Sequence, residues 1–106
     1  MSVFEKTINA FKDRDINALE NLYHEDFGYV NDYFFSDRAD HLAGLKVFIQ
    51  DTEWHHKTRC VHEEAYTLVM RTERIDKNGH VTVSSNFSQI KDGQYYRRMT
   101  VSSDLE

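Results

Sequence analysis

The sequence lacks proline and contains one cysteine, four glycines and one tryptophan among its 106 residues. With no proline, no repeat and no low-complexity segment to divide the chain, we expect a single domain over residues 1–106. The lone Cys60 cannot form an internal disulfide, which favours a reducing, cytoplasmic location. No apolar run approaches the length of a membrane span, and the first residues do not resemble a signal peptide.

Positive charge is also scarce. Lys and Arg number 13 against 18 Asp and Glu, giving a formal net charge of −5, and the basic residues form no cluster. We therefore expect neither nucleic acid nor an anionic membrane as a partner. The composition is 40% hydrophobic and 13% aromatic, which is typical of a folded globular domain.

Four extended runs separated by turn signals fill the second half of the chain. They span residues 58–62, 66–75, 80–90 and 94–103. Asn78-Gly79 and Asp92-Gly93 supply residues that tolerate the positive φ of tight hairpin turns. Because the links are short, successive runs can only be antiparallel neighbours. The second half is predicted to be a β-meander.

The first half shows helical patterns. Ser2 and Glu5 fit a capping box for a first helix, and Asp15 fits the N-cap of a second. The second helix is predicted to carry Ile16, Leu19, Leu22 and Tyr23. Residues 29–33 then resemble a short strand. Ser36 or Asp37 can cap a third helix, whose apolar stripe is Leu42, Leu45, Phe48 and Ile49.

This element order predicts an α+β domain. A curved antiparallel sheet, with four long strands and a short first strand, should wrap around three N-terminal helices. Such a sheet leaves a conical cavity, where small ligands usually bind.

The chain resembles the nuclear-transport-factor-2-like (NTF2-like) superfamily, and within it the SnoaL-like polyketide cyclase and ketosteroid isomerase type. The resemblance extends over nearly the whole chain, and the residues that carry it are 10–15, 22–27, 29–32 and 90–94. It implies a small-molecule ligand and no cofactor.

The resemblance places Asp32 where ketosteroid isomerases carry their general base. Such a base needs partial desolvation to raise its pKa. The alternative is a solvated carboxylate at a strand end. The enolate-stabilising donors of that family are not reproduced, because the matching positions hold Thr7 and Asn86. The amide of Asn86 can still donate a hydrogen bond to an oxyanion.

A second similarity is to limonene-epoxide-hydrolase-like proteins, which hold a nucleophilic water with a Tyr-x-Asn motif. Tyr29-Val30-Asn31 matches that motif, so Tyr29, Asn31 and Asp32 form the candidate catalytic group. Arg74 and Asp76 resemble another part of the same site. The competing interpretation, which the position beside Asn78-Gly79 favours, makes them a solvated hairpin tip.

Residues 81–88 alternate between apolar and polar side chains, and two interpretations remain open. Simple patterning buries the apolar set and exposes the polar set. The family resemblance instead places Asn86, Arg98 and Thr100 in the cavity. In that case the outer face would be apolar and would form a homodimer interface. The residues predicted for the interface are Val83, Phe87, Met99 and Val101.

Further candidates for the binding site are Arg98, Trp54 and His62. An inward Arg98 would favour a carboxylate or another anionic or carbonyl oxygen. Trp54 either walls the cavity or packs in the core, and His62 either enters the cavity or is an ordinary strand residue. The histidine spacing matches no metal motif, and Cys60 is interpreted as a buried small residue.

Two classes of function follow. The first is a cofactor-free isomerase, cyclase or, less favoured, hydrolase that uses Asp32 as a base on a carbonyl-containing or partly apolar substrate. The second is a non-catalytic ligand-binding or dimerisation module of the same fold. A polar pocket around Asp32 would favour the enzyme, and a filled one would favour association.

Overall fold

The computed structural model describes residues 1–31, 34–50 and 55–105. In this part of the chain the elements are, in order, α1 (Val3–Lys12), α2 (Ile16–Glu20), β1 (Tyr23–Asn31), β2 (Phe34–Asp37), α3 (Arg38–Gln50), β3 (His55–Glu63), β4 (Thr67–Ile75), β5 (Val81–Lys91) and β6 (Gln94–Leu105). This is the predicted α+β class.

The helices begin at capping side chains. Ser2 Oγ accepts a hydrogen bond from the backbone N–H of Glu5 at 3.1 Å, and Asp15 Oδ1 accepts one from Ala18 at 3.1 Å. At the start of α3, Asp37 Oδ1 accepts from the N–H of Asp40 at 2.9 Å. These bonds satisfy N–H groups that the first turn of a helix leaves unpaired. Asp37 is thus the capping residue of α3.

The strands form one curved, unclosed sheet in the order β2-β1-β6-β5-β4-β3. The predicted meander is confirmed, since β3 to β6 are successive antiparallel neighbours. At the β5–β6 turn Asp92 and Gly93 have φ of 55° and 74°, as expected for a primed hairpin turn. At the β4–β5 turn, Asp76 Oδ1 accepts from the N–H groups of Asn78 and His80, each at 2.9 Å.

The first strand departs from the prediction. It was expected at residues 29–33 but begins at Tyr23 and pairs in parallel with β6, with Tyr23 opposite Tyr95. Consequently α2 ends at Glu20, and Leu22 and Tyr23 are not helical. Their apolar spacing suits either state, and pairing with β6 decided it: the N–H of Tyr95 donates to the carbonyl of Leu22 at 2.8 Å. The short edge strand β2 was not predicted.

The core lies where the helices meet the end of the sheet at which β5 turns into β6. Its four most deeply buried side chains are Leu19, Tyr23, Leu68 and Tyr95. Arg38, the first residue of α3, connects the helix to this region by two hydrogen bonds. Its Nε donates to the carbonyl of Tyr23 at 3.1 Å and its Nη2 to the carbonyl of Glu20 at 2.8 Å. The core therefore fills one end of the space between helices and sheet, and leaves the other end open.

Candidate functional site

A cavity of about 540 Å³ occupies the open end, between the concave face of the sheet and helices α1 and α3. Its two walls differ in chemistry. The helices contribute the apolar side chains of Ile8, Phe11, Leu45 and Phe48, together with Thr7, Asp40 and His41. The strands contribute mainly hydroxyl and amide groups, which are those of Tyr29, Asn31, Ser36, Thr58, Thr72, Thr82, Ser84, Asn86, Thr100 and Ser102. The cavity is thus suited to an amphiphilic small molecule.

The register of the strands explains the polar wall. Met70, Asn86, Thr100 and Asn31 are consecutive partners across β4, β5, β6 and β1, and all four line the cavity. We refer to these four residues as the inner row. Thr100 Oγ1 donates to Asn86 Oδ1 at 2.6 Å. This bond occupies the amide oxygen, and the NH₂ group is the donor that Asn86 retains.

Arg98 is the only arginine that lines the cavity from β6. Its Nε donates to Ser88 Oγ at 3.0 Å and its Nη1 to the hydroxyl of Tyr23 at 3.3 Å. The guanidinium carbon lies 4.2 Å from the ring centroid of Tyr95. Burial opposes the charge, but the hydroxyls of Tyr23 and Tyr95 raise the pKa of Arg98 above its ordinary value. The side chain is therefore a fixed cation.

Arg98 makes no ion pair with any acidic side chain in the part of the chain that is described, and its Nη2 is shielded from solvent without a hydrogen-bond partner. A shielded charge without a counter-ion is costly to a folded protein. Groups of this kind in a cavity are candidates for a functional role.

His41 is a second cavity group, and the sequence patterns did not identify it. It lies on α3 and packs against Tyr23, Phe27 and Tyr29, with ring centroids 5.0, 5.0 and 4.8 Å away. Burial, and then the charge of Arg98, lower the pKa of His41 from its ordinary 6.5 to about 3. The imidazole is therefore neutral near pH 7. Its position was available in the sequence, since residues 41, 45 and 48 fall on one face of a helix.

Three polar atoms that are shielded from solvent belong to cavity residues and have no partner within the described chain. They are Asn31 Oδ1, His41 Nε2 and Arg98 Nη2. Asn31 and Arg98 are on neighbouring strands, because Tyr29 and Asn31 stand opposite Arg98 and Thr100. Shielded polar atoms in proteins are nearly always hydrogen-bonded. Together they supply a cationic donor, an amide acceptor and a neutral imidazole for a ligand.

Tyr29 and Asn31 of the candidate catalytic group both line the cavity. Asp32 lies outside the described residues, as does Trp54. Thr7, which the resemblance matched with an isomerase donor, is hydrogen-bonded to the hydroxyl of Tyr95 at 2.7 Å. Burial raises the pKa of Tyr95 to about 12, so its hydroxyl remains protonated.

Arg74 and Asp76 have different environments. Asp76 is a turn residue, and the hydrogen bond from the N–H of His80 lowers its pKa. Arg74 lines the cavity, with its guanidinium carbon 5.9 Å from the ring centroid of Phe48. Asp76 therefore belongs to the hairpin turn, whereas Arg74 is exposed and also borders the cavity. Whether Arg74 is part of a site stays a prediction. His56 also lines the cavity, and burial followed by the charge of Arg14 lowers its pKa.

His62 is not brought to the cavity. A register shift in β3 between Cys60 and His62 pairs His62 with Val69, whereas Cys60 pairs with Met70 of the inner row. His62 is exposed, with Nε2 3.4 Å from Glu64 Oε2. Cys60 is half-buried against the core, and burial followed by the charge of Glu63 raises the pKa of its thiol.

The described residues contain no cluster of three or more His, Cys, Asp or Glu side chains placed to hold a metal ion. Among them, no helix has the length and apolar character needed to cross a membrane.

Solved structures share this fold. An NTF2-like protein of unknown function from Cytophaga hutchinsonii aligns with a TM-score of 0.76 and 11% identity, over 95% of this chain and 87% of its own. A provisionally assigned ketosteroid isomerase from Kribbella flavida aligns with a TM-score of 0.78 and 17% identity, over 98% and 77%. An LEH-like epoxide hydrolase from M. tuberculosis aligns with a TM-score of 0.70 and 12% identity, over 95% and 80%.

The protein thus has the NTF2-like fold, and the resemblance inferred from the sequence is confirmed for the fold. No protein-family model and no curated protein matches the sequence. At these identities the structural likeness identifies the fold alone, because this fold supports unrelated activities.

Proposed function

We propose that this protein binds a small amphiphilic molecule in the cavity, with a carboxylate or similar anionic oxygen held by Arg98. The observation that carries the proposal is the shielded Nη2 of Arg98, which has no acidic partner among the described residues. A carboxylate would supply the missing acceptor and the missing negative charge. The apolar body of such a ligand would contact the helix wall formed by Ile8, Phe11 and Leu45.

The experiment compares benzoate with benzamide, which have nearly the same shape and differ in charge. Binding is followed by NMR chemical shifts of the backbone amides of β5 and β6. We expect wild-type protein to bind benzoate at least about tenfold more tightly than benzamide, because a charge-assisted hydrogen bond to a shielded arginine is strong. Arg98→Met should remove that preference.

Arg97→Met is the matched control. Arg97 is the neighbouring residue, but it is exposed and lies against Tyr96 outside the cavity, 4.0 Å from that ring centroid. This variant should retain the preference for benzoate. Equal affinities of wild-type protein for benzoate and benzamide would reject Arg98 as an anion-binding group.

A second candidate function is catalysis, with Asp32 as a general base. Its support is that Tyr29 and Asn31, the neighbours of Asp32 in the sequence, line a polar cavity, and that enzymes occur among proteins of this fold. In this function Arg98 and Asn86 would orient a carbonyl oxygen while the base removes a proton from the adjacent carbon.

The test for catalysis is exchange of carbonyl-adjacent hydrogen for deuterium in small ketones dissolved in D₂O. Wild-type protein should accelerate the exchange, and Asp32→Asn should abolish the acceleration while retaining the melting temperature. If no ketone in the series exchanges faster with wild-type protein than with Asp32→Asn, catalysis by Asp32 is rejected and only the proposed binding function remains.

A further inference from the structure

His41 is a shielded group for which neither the motifs nor the fold comparison provide a role. Its Nε2 has no partner among the described residues and belongs to a residue that lines the cavity. It shares its surroundings with Arg98, since both contact Tyr23: the His41 ring centroid lies 5.0 Å from that of Tyr23, and Arg98 Nη1 lies 3.3 Å from the Tyr23 hydroxyl. The charge of Arg98 also acts on His41, so a carboxylate held by Arg98 would lie near the imidazole.

We propose that His41 binds the same carboxylate as Arg98 and takes up a proton from solvent when that carboxylate is bound. The inference rests on the proposed anion-binding function of the cavity. It adds a second ligand-binding residue and predicts that binding is coupled to proton uptake. A carboxylate suits the arrangement because its two oxygens can accept hydrogen bonds from a guanidinium and an imidazolium at once.

The coupling follows from the charges around His41. From β1 it faces the rings of Tyr23 and Tyr29, and from β6 the charge of the Arg98 guanidinium. Among the described residues, the other charged or titratable groups that line the cavity are Asp40, His56 and Arg74. In the free protein, burial and the charge of Arg98 keep His41 neutral. A bound carboxylate would offset the positive charge and supply an acceptor for a protonated ring.

The sign of the effect is fixed by linkage. If the carboxylate raises the pKa of His41 above its free value of about 3, the complex holds more protons than the free protein at pH values between the two. Affinity for the carboxylate then rises as the pH falls, by at most about tenfold per pH unit for one proton. The rise ends where the carboxylate of the ligand itself becomes protonated.

The experiment measures benzoate binding by calorimetry at about pH 6, near the ordinary histidine pKa, in two buffers with different ionisation enthalpies. Net proton uptake per bound benzoate is expected for wild-type protein. His41→Gln should weaken benzoate binding, because the amide donates only an uncharged hydrogen bond. The binding that remains should still depend on Arg98 but should show neither the proton uptake nor the dependence of affinity on pH.

His56→Gln is the matched control, because His56 is the other histidine that the structure places in the cavity wall. It should retain the proton uptake. Uptake that persists in His41→Gln, or that disappears only in His56→Gln, would overturn the inference. Binding that depends on Arg98 without any proton uptake would also overturn it while leaving the proposed function intact, and absence of benzoate binding would overturn both.

A measurement on wild-type protein covers the case in which His41→Gln fails to fold. The ring carbon and nitrogen resonances of His41 can be assigned by elimination, using single Gln variants of the other five histidines. Addition of benzoate should move them from neutral to imidazolium positions at about pH 6. Unchanged His41 resonances in a benzoate-saturated sample would contradict the inference.

Discussion

The two faces of the sheet differ sharply although they alternate along the same strands. One residue away from the inner row, Val69, Phe87, Met99 and Val30 are partners across β4, β5, β6 and β1. We call these four residues the outer row. Three of them, Phe87, Met99 and Val30, are exposed by 43%, 49% and 43%. The inner row contains two amides and a hydroxyl, whereas the outer row is wholly apolar.

This arrangement is the reverse of that in a simple half-buried sheet, where polar side chains face water. The apolar core is confined to one end of the fold, so the concave face elsewhere lines a cavity and can be polar. Along β5, Thr82, Ser84 and Asn86 face inward and line the cavity, as the family resemblance implied. The predicted homodimer would bury this apolar row, and it stays a prediction.

The largest expected effect concerns the outer row. If a second copy covers this face, Phe87→Glu would place two charges in an apolar interface at a cost of about 3–5 kcal/mol. We expect wild-type protein to sediment as a dimer and Phe87→Glu as a monomer that still binds benzoate. Tyr66→Glu, at a residue exposed by 73% and outside the outer row, is the control. A monomeric wild-type protein would end the dimer prediction.

The next effect concerns Arg98 in the absence of ligand. Arg98 has no acidic partner among the described residues, and replacing it by an apolar side chain removes a desolvation cost together with the hydrogen bonds to Ser88 and Tyr23. We expect the desolvation cost to dominate, so the free energy of unfolding should stay equal or rise, by up to ~4 kcal/mol. Chemical denaturation of Arg98→Met measures this change. In the control Arg97→Met, loss of the contact with Tyr96 should cost ~0.5–1 kcal/mol. If Arg98→Met proves less stable than Arg97→Met, Arg98 is a structural residue.

A smaller effect is the pH dependence of stability due to His41. Its pKa falls from 6.5 to about 3 on folding, so the unfolded chain binds more protons between these values. Stability should therefore decrease as the pH falls through this window, by up to ~1.4 kcal/mol per pH unit from this group. His41→Gln should lose this part of the slope, and His62→Gln, at an exposed site, should retain it. Identical slopes for wild-type protein and His41→Gln would contradict the assignment.

The smallest effect concerns the bond within the inner row. Thr100→Val removes the donor to Asn86 Oδ1 and should cost ~1 kcal/mol in the free energy of unfolding. Thr82→Val removes an exposed bond of 3.3 Å to Asp104 and should cost less than ~0.5 kcal/mol. Equal losses for the two variants would mean that the bond between Thr100 and Asn86 contributes no more to the free energy of unfolding than the exposed bond does.

Much of the fold was predictable because its signals are local. The capping groups of Ser2 and Asp15, the two hairpin turns and the alternation of β4 to β6 each depend on a few neighbouring residues. The boundary of β1 was not predictable in this way. Leu22 and Tyr23 continue a helical stripe in the sequence, and only pairing with a strand about 70 residues away, from Gln94 onward, draws them into the sheet.

The candidate site residues also differ in whether local sequence signals or only the folded structure identify them. Tyr29, Asn31, Asn86, Arg98 and Thr100 were identified through motif and resemblance, and all line the cavity. Their roles in binding or catalysis remain predictions. His41 was missed because no motif contains it. Its importance comes from Tyr23, Tyr29 and Arg98, which only folding brings around it. For His62 the structure agrees with the interpretation as an ordinary strand residue; alternation alone could not decide this, because it does not reveal the shift in strand register.

By itself, the sequence determined the α+β class, the antiparallel meander and the residues that alternate along each strand, since these follow from turn chemistry and side-chain periodicity. Only the tertiary structure decided which face of the sheet lines the cavity, and that Arg98 and His41 share one corner of it. Those properties depend on the curvature of the sheet and on contacts between distant segments. The burial that lowers the pKa of His41 exists only in the folded chain.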